Sequence, residues 1–169
     1  MKKITNTDSV VSEIGLCQMI TSTVLSSRIL ILDCIQDPGN MGALLRSACA
    51  FGFQTIFISD GSCDLYNPKV IRASQGAIFK LHFLFGNPVV FIKELKGYDI
   101  YGTDVRQGVS IHEISKSNPI GIILGNEGKG ISKEIQALNL KNLYIPMDNT
   151  ESLNVSVAGS ILMYELNSF

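Results

Sequence analysis

The sequence predicts an α/β domain with a mainly parallel sheet flanked by helices. Three observations carry this. Apolar runs such as Arg28-Ile29-Leu30-Ile31-Leu32 and Ile120-Gly121-Ile122-Ile123-Leu124 do not alternate with polar residues, as expected of parallel strands covered on both faces. These runs alternate with helix-forming stretches at the spacing of βαβ units. Glycine and proline cluster just after the strands, where α/β sheets place their ligand loops.

Residues 1–27 are Ser/Thr-rich and weakly patterned, and residues 9–20 fit one short helix. Arg28 to Leu32 is the first strand. The turn Asp37-Pro38-Gly39-Asn40-Met41-Gly42 follows, then a helix over about 42–51 that Gly52 stops. Residues 55–59 form a strand, and 67–74 a helix. A weaker strand at 81–85 precedes a helix at 88–95. Strands at 99–103 and 120–124 lead to the loop 125–130 and a short helix at 132–138. The last strand, 143–145, ends at Pro146, which cannot donate to a ladder. The final helix begins near Ser152, capped by that residue or a neighbour. Val155, Val157, Ala158, Ile161, Leu162 and Met163 make it apolar nearly all round, which implies burial in an interior or an interface. The loops after Leu32, Tyr101, Leu124 and Ile145 are the candidate site.

Bulk properties narrow the function classes. A length of 169 residues fits one domain with its own core. The net charge of -1 gives no global basic signature, so a nucleic acid would be held by a local patch. Cys17, Cys34, Cys49 and Cys63 form no Cys-x-x-Cys pair, and with only His82 and His112 a zinc site is not expected. Cys34 and Cys49 read as small buried hydrophobes, and both histidines as structural or exposed. No apolar run is long enough to span a membrane. The start, Met1-Lys2-Lys3, fits no signal peptide, which leaves a reducing cytoplasm as the expected location.

Three stretches carry chemistry. In Asn40-x-Gly42-x-x-x-Arg46, the glycines allow close approach of backbone to a ligand. Arg46 is the only charge between Asp37 and Asp60. The alternative is an arginine snorkelling from a buried helix. Gly125-Asn126-Glu127-Gly128-Lys129-Gly130 follows a buried strand directly. It matches neither a Walker loop nor a dinucleotide fingerprint, and it reads as a ligand-facing loop or a tight solvated turn. In 67–76, Lys69 and Arg72 lie three apart on one helix face, a phosphate-binding patch or a solvated basic face.

In combination these segments resemble the SpoU (TrmH-like) family of RNA ribose 2′-O-methyltransferases, of the SPOUT superfamily. The first matching segment is Leu32-Asp33-x-x-x-Asp37-Pro38-x-Asn40-x-Gly42-x-x-x-Arg46-x-Ala48-x-x-Phe51-Gly52. The second is Gly121-x-x-Leu124-Gly125-Asn126-Glu127-Gly128-x-Gly130-Ile131. The third joins Ile145-Pro146-Met147 to Glu151-Ser152-Leu153-Asn154-Val155-Ser156-Val157-Ala158. The resemblance covers roughly residues 28–166, so 1–27 is set apart as a short extension from a methyltransferase domain at 28–169. The 67–76 segment is similar to the branch acting on 23S ribosomal RNA.

The resemblance implies a C-terminal trefoil knot, S-adenosylmethionine as cofactor, and a homodimer whose active site draws on both chains. Thr103, Leu124, Gly125, Asn126, Ile145, Met147, Leu153 and Asn154 would line the cofactor pocket. Arg46 would meet the RNA and activate the 2′-hydroxyl, as a base or as an electrostatic stabiliser. Asn40, Glu127, Ser152 and Asn154 would position the nucleotide and Arg46. Lys69 and Arg72 would bind RNA beside Arg46. The substrate would be ribosomal RNA ahead of transfer RNA, with no metal and no membrane partner. Many relatives carry a separate N-terminal RNA-binding domain, and here 27 residues precede the first strand. RNA affinity is therefore expected from the short segment, a partner protein or the dimer surface. The alternative function is a non-catalytic RNA-binding or assembly module that keeps the fold.

Overall fold

The computed structural model describes residues 13, 15, 24–105, 107–116 and 118–167. Cys17 and the helix expected over 9–20 lie outside them. Seven parallel strands form one sheet in the order β3-β2-β1-β6-β4-β7-β5. The strands are β1 (Arg28–Leu32), β2 (Thr55–Ser59), β3 (His82–Gly86), β4 (Asp99–Asp104), β5 (Val109–Ser110), β6 (Ile120–Leu124) and β7 (Lys141–Tyr144). The helices are α1 (Pro38–Ala50), α2 (Pro68–Ser74), α3 (Pro88–Glu94), α4 (Lys133–Gln136) and α5 (Val155–Leu166).

The sheet sits between two helical layers because both its faces are apolar. Along β1, Leu30 and Leu32 point into the core shared with α1, α2 and α5. Ile29 and Ile31 point into a second core with Ile92 of α3 and Ile135 of α4. Every residue of β2 and β6 is buried, which accounts for the lack of polar alternation within them.

Several boundaries differ from the sequence reading. Helix α1 begins at Pro38, four residues earlier than expected. Asp37 caps it by accepting from Asn40 N at 2.8 Å, and Pro38 loses nothing at the first helical position, where its missing N–H would be unpaired. The stretch read as a turn is therefore the first turn of the helix. Helix α5 starts at Val155, and Asn154 rather than Ser152 caps it by accepting from Ser156 N at 2.8 Å. The two-residue strand β5 and 3-10 turns at Ala77–Phe79 and Ile111–Glu113 carry too little periodicity to be read from sequence.

Two packing expectations are also corrected. Only one side of α5 is buried, through Gly159, Leu162, Met163 and Leu166, whereas Val157, Ile161 and Tyr164 are exposed. The helix is an outer layer over α1 and the sheet, so Val157, Ile161 and Tyr164 stay exposed among the described residues. Cys34 and Cys49 are half-buried rather than interior. Cys34 lies just past β1 with φ of 57°, where the chain turns away from the sheet.

Gly42 does not open the backbone to a ligand. A Cβ there would lie 2.4 Å from Ala73 Cβ and 2.9 Å from Val70 O, so the missing side chain lets α1 press on α2. Gly159 plays the same part for α5, where a Cβ would meet Leu124 and Leu44 side chains at 2.5 and 2.6 Å. Gly42→Ala is expected to lower stability by about 1–3 kcal/mol, because the clash is partly with α2 backbone. A thermal unfolding scan checks this; an unchanged midpoint would show that the two helices separate freely.

Candidate active site

The carboxyl ends of β4, β6 and β7 open onto a cleft of about 810 Å³. Three connections meet there: the chain after Gly102, the loop after Leu124, and the extended segment after Tyr144. The loop after β6 is a closed turn. Asn126 and Gly130 exchange backbone hydrogen bonds of 2.9 and 2.8 Å. Asn126 Oδ1 accepts from Gly128 N and Lys129 N, both at 3.0 Å, and its Nδ2 donates to Cys34 O at 2.9 Å. Gly125 has no room for a Cβ, which would lie 2.2 Å from Gly130 C. The base of this turn is held by Asp33, only 2% exposed, whose carboxylate accepts from Ser132 N at 2.7 Å. Sequence reasoning assigned Asp33 no role. Its signal was a carboxylate placed directly after an apolar strand, where it must find donors.

Glu127 projects from the turn onto the start of α1. Its carboxylate accepts from Gln36 N at 3.3 Å, Asp37 N at 3.1 Å and Asn40 Nδ2 at 3.1 Å. Asn40 Oδ1 in turn accepts from Asn154 Nδ2 at 3.0 Å. Asn154 Oδ1 accepts from Ser156 N, and from Ser156 Oγ at 2.7 Å. One hydrogen-bonded string thus joins the turn after β6, the first turn of α1 and the cap of α5. Burial pushes the Glu127 carboxyl up, but hydrogen bonds from Asn40 and from backbone N–H groups outweigh it and hold it below the usual carboxylate range. Glu127 is therefore an ionised acceptor at neutral pH, not a proton shuttle. Burial, with Glu127 and Asp37 nearby, pushes the Cys63 thiol up, so it is no thiolate nucleophile at neutral pH.

The cleft is lined by each residue expected to touch a cofactor except Asn154: Thr103, Leu124, Gly125, Asn126, Ile145, Met147 and Leu153. Asn154 belongs to the string at its margin. Thr103 Oγ1 donates to Ile123 O at 2.9 Å and keeps its acceptor capacity. Ser152 also lines the cleft and is exposed. Val155, Ala158 and Leu162 of α5 complete the wall, and Asp104 borders it. Their part was hidden because a helix buried on one side gives no sign of which residues it turns to a cavity.

Arg46 stands apart. It is exposed on α1 and does not line the cleft. It follows Gly42 by one helical turn, on the side of α1 that meets α2. Lys69 and Arg72 are exposed on α2, so the three cations lie on neighbouring helices. His82 is half-buried in β3 and His112 is exposed; neither lines the cleft. No group of His, Cys, Asp or Glu among the described residues could hold a metal ion. No helix among them is long and apolar enough to cross a membrane.

This fold and this cleft define a known class. Residues 27–164 match the model of the SpoU rRNA Methylase family, and the chain belongs to that family. It is 35% identical over 167 residues to the Bacillus subtilis (strain 168) 23S rRNA (guanosine(2553)-2′-O)-methyltransferase RlmP, covering 96% of this chain and 67% of that protein. Among solved structures, an AdoMet-bound rRNA methyltransferase from Sinorhizobium meliloti matches with a TM-score of 0.76 and 27% identity, over 82% of this chain and 55% of that one. The SpoU methyltransferase AviRb from Streptomyces viridochromogenes, in complex with AdoMet, matches with a TM-score of 0.73 and 27% identity, over 82% and 58%. The chain thus spans between 55 and 67% of these relatives' lengths.

The lowered Glu127 pKa has a stability consequence. A carboxyl depressed on folding adds stability above its unfolded pKa and loses it as pH falls through the folded value. The wild-type advantage in unfolding midpoint over Glu127→Gln is expected to hold from about pH 6 to 9 and to shrink below about pH 4. An advantage that persists undiminished into strong acid would contradict the ionised-acceptor role.

Proposed function

We propose that this chain transfers a methyl group from S-adenosylmethionine to a ribose 2′-hydroxyl of RNA, with ribosomal RNA ahead of transfer RNA. The carrying observation is the cleft at the carboxyl ends of β4, β6 and β7, bordered by the Glu127–Asn40–Asn154 string. Family membership and the AdoMet-bound relatives support it.

The cleft's residues fit that cofactor. Leu124, Ile145, Leu153 and Val155 offer apolar walls to a flat base, and the space falls within the usual range for small-molecule sites. Ionised Glu127 and nearby Asp104 suit a cationic ligand. When bound, the cofactor supplies a methyl group activated by its positive sulfur. The chain's own tasks are orientation, exclusion of water and management of charge. Asn40 and Asn154, fixed by their hydrogen bonds, orient the nucleotide at the mouth. Arg46 acts as a cation and hydrogen-bond fork: it holds phosphate and stabilises the developing alkoxide, while the 2′-hydroxyl proton passes to solvent water as the O–C bond to the methyl group forms.

The position of Arg46 outside the cleft favours a homodimer in which one copy's arginine serves its partner's cleft. Exposed Val157, Ile161 and Tyr164 on α5 give that dimer an apolar face. The packing of α5 across β6 and α1, after the chain has left the sheet through β7, supports the trefoil knot. A cytosolic location follows from this substrate.

Calorimetric titration with S-adenosylmethionine, with oligomeric size read on the same sample, tests the reading. Binding by a dimer is expected, and a folded protein that binds nothing would overturn it. Arg46→Ala should lower methyl incorporation into ribosomal RNA by about 100-fold or more while cofactor affinity holds. Leu153→Glu should abolish the calorimetric signal, since it sets a charge against the apolar wall. Methylation by Arg46→Ala at the wild-type rate would remove that residue from the mechanism.

A further inference from the structure

Phe79 is the most exposed large hydrophobic residue described, at 67%. It does not hang from a loose loop. Gln75 and Gly76 both have positive φ, 50° and 83°, and reverse the chain sharply after α2. The 3-10 turn Ala77–Phe79 follows, packed against α1 and α2. Ala77 and Ile78 are buried in the core beneath those helices, and Lys80 N bonds back to Ala77 O at 2.9 Å. Two anchored residues thus hold a third, aromatic one out in solvent.

The two helices it packs against carry charges of one sign. Between Asp64 and Glu94 the chain has no Asp or Glu, and between Asp37 and Asp60 its only charge is Arg46. Helices α1 and α2 and the turn beside them therefore carry Arg46, Lys69, Arg72 and Lys80 with no carboxylate, in a chain whose net charge is -1. All four cations are exposed. The other exposed aromatic of this region, Phe85, differs. It lies on strand β3 rather than on the turn after α2, and the next residue, Gly86, accepts from Asp60 N at 3.3 Å.

We propose that Phe79 is a stacking platform for an unpaired base of the RNA, with Arg72 and Lys80 holding the flanking phosphates. This rests on the RNA reading above and extends it: the target lies in a single-stranded or looped stretch rather than within a duplex. Proteins that bind single strands pair a cationic groove with exposed aromatic faces, because every base offers a ring to stack on. A base inside a duplex cannot reach such a ring. The platform also gives the methyltransferase domain a binding surface of its own, on the α1 side that bears Arg46.

The chain has no tryptophan, so Phe79→Trp would report on this position alone. In the full chain, its emission is expected to be quenched by a short oligoadenylate and unchanged by the same strand annealed to oligouridylate. Phe85→Trp should show no quenching with either. Phe79→Ala, at an exposed position, should weaken oligoadenylate binding by about 5- to 100-fold in fluorescence anisotropy. Unquenched Phe79→Trp, an unaltered affinity in Phe79→Ala, equal quenching by the duplex, or wild-type protein that binds no oligoadenylate would each overturn the platform. S-adenosylmethionine binding, measured on the same preparations, separates the two readings. Retained cofactor binding with no quenching overturns the platform alone, whereas wild-type protein that binds no cofactor overturns the proposed reaction.

Discussion

One carboxylate sets the direction of every hydrogen bond at the mouth of the cleft. Ionised Glu127 can only accept, so Asn40 must turn its Nδ2 towards it. That leaves Asn40 Oδ1 facing Asn154, which must offer its own Nδ2. Asn154 Oδ1 is then free for Ser156 N, and α5 is capped. Reversal of either amide would set oxygen against oxygen at one of its contacts and nitrogen against nitrogen at the other. The same carboxylate meets Gln36 N and Asp37 N, just before α1 begins. Three elements far apart in sequence are thereby locked to one another by a side chain that is exposed.

Below this string lies a second, buried constraint. Asp33 at the end of β1 grips Ser132 N at the far end of the turn after β6, and so fixes the rim of the cleft from beneath. The exposed carboxylate belongs to the loop and the buried one grips the residue just after it. This explains why a glycine-rich segment on the surface can be rigid: its backbone donors are spent on Asn126, on Gly130 and on Asp33.

Much of this was legible in the sequence, for identifiable reasons. Strands β1, β2 and β6 are buried on both faces, so their apolar stretches, Ile29–Leu32, Ile56–Ile58 and Ile120–Leu124, carry no polar alternation and are bounded by turn residues. Of the four loops expected to form the site, those after Tyr101, Leu124 and Ile145 converge on the cleft, whereas the one after Leu32 does not line it. What sequence could not give was the start of α1. Asp37-Pro38-Gly39-Asn40 reads equally well as a turn, and only the bond from Asn40 N to Asp37 Oδ1 decides for a capped helix. Gly42 misled for a related reason. A glycine makes room, but sequence does not say whether the room is filled by a ligand or, as here, by α2. The exposed side of α5 was hidden because the helix is apolar all round, so its sequence does not say which residues face the chain's own core.

The central place of β1 governs how this chain can emerge from a ribosome. Its neighbour on one side, β2, follows within about 30 residues. Its neighbour on the other, β6, pairs Arg28 with Ile120 and is not yet made. At about 5–20 residues per second, the open edge of β1 waits for roughly 5–20 s. During that time an apolar strand displays unpaired amides, the condition under which nascent chains pair with the wrong partner. Translation speed and chaperone supply should therefore affect the yield of this protein more than its final stability would suggest.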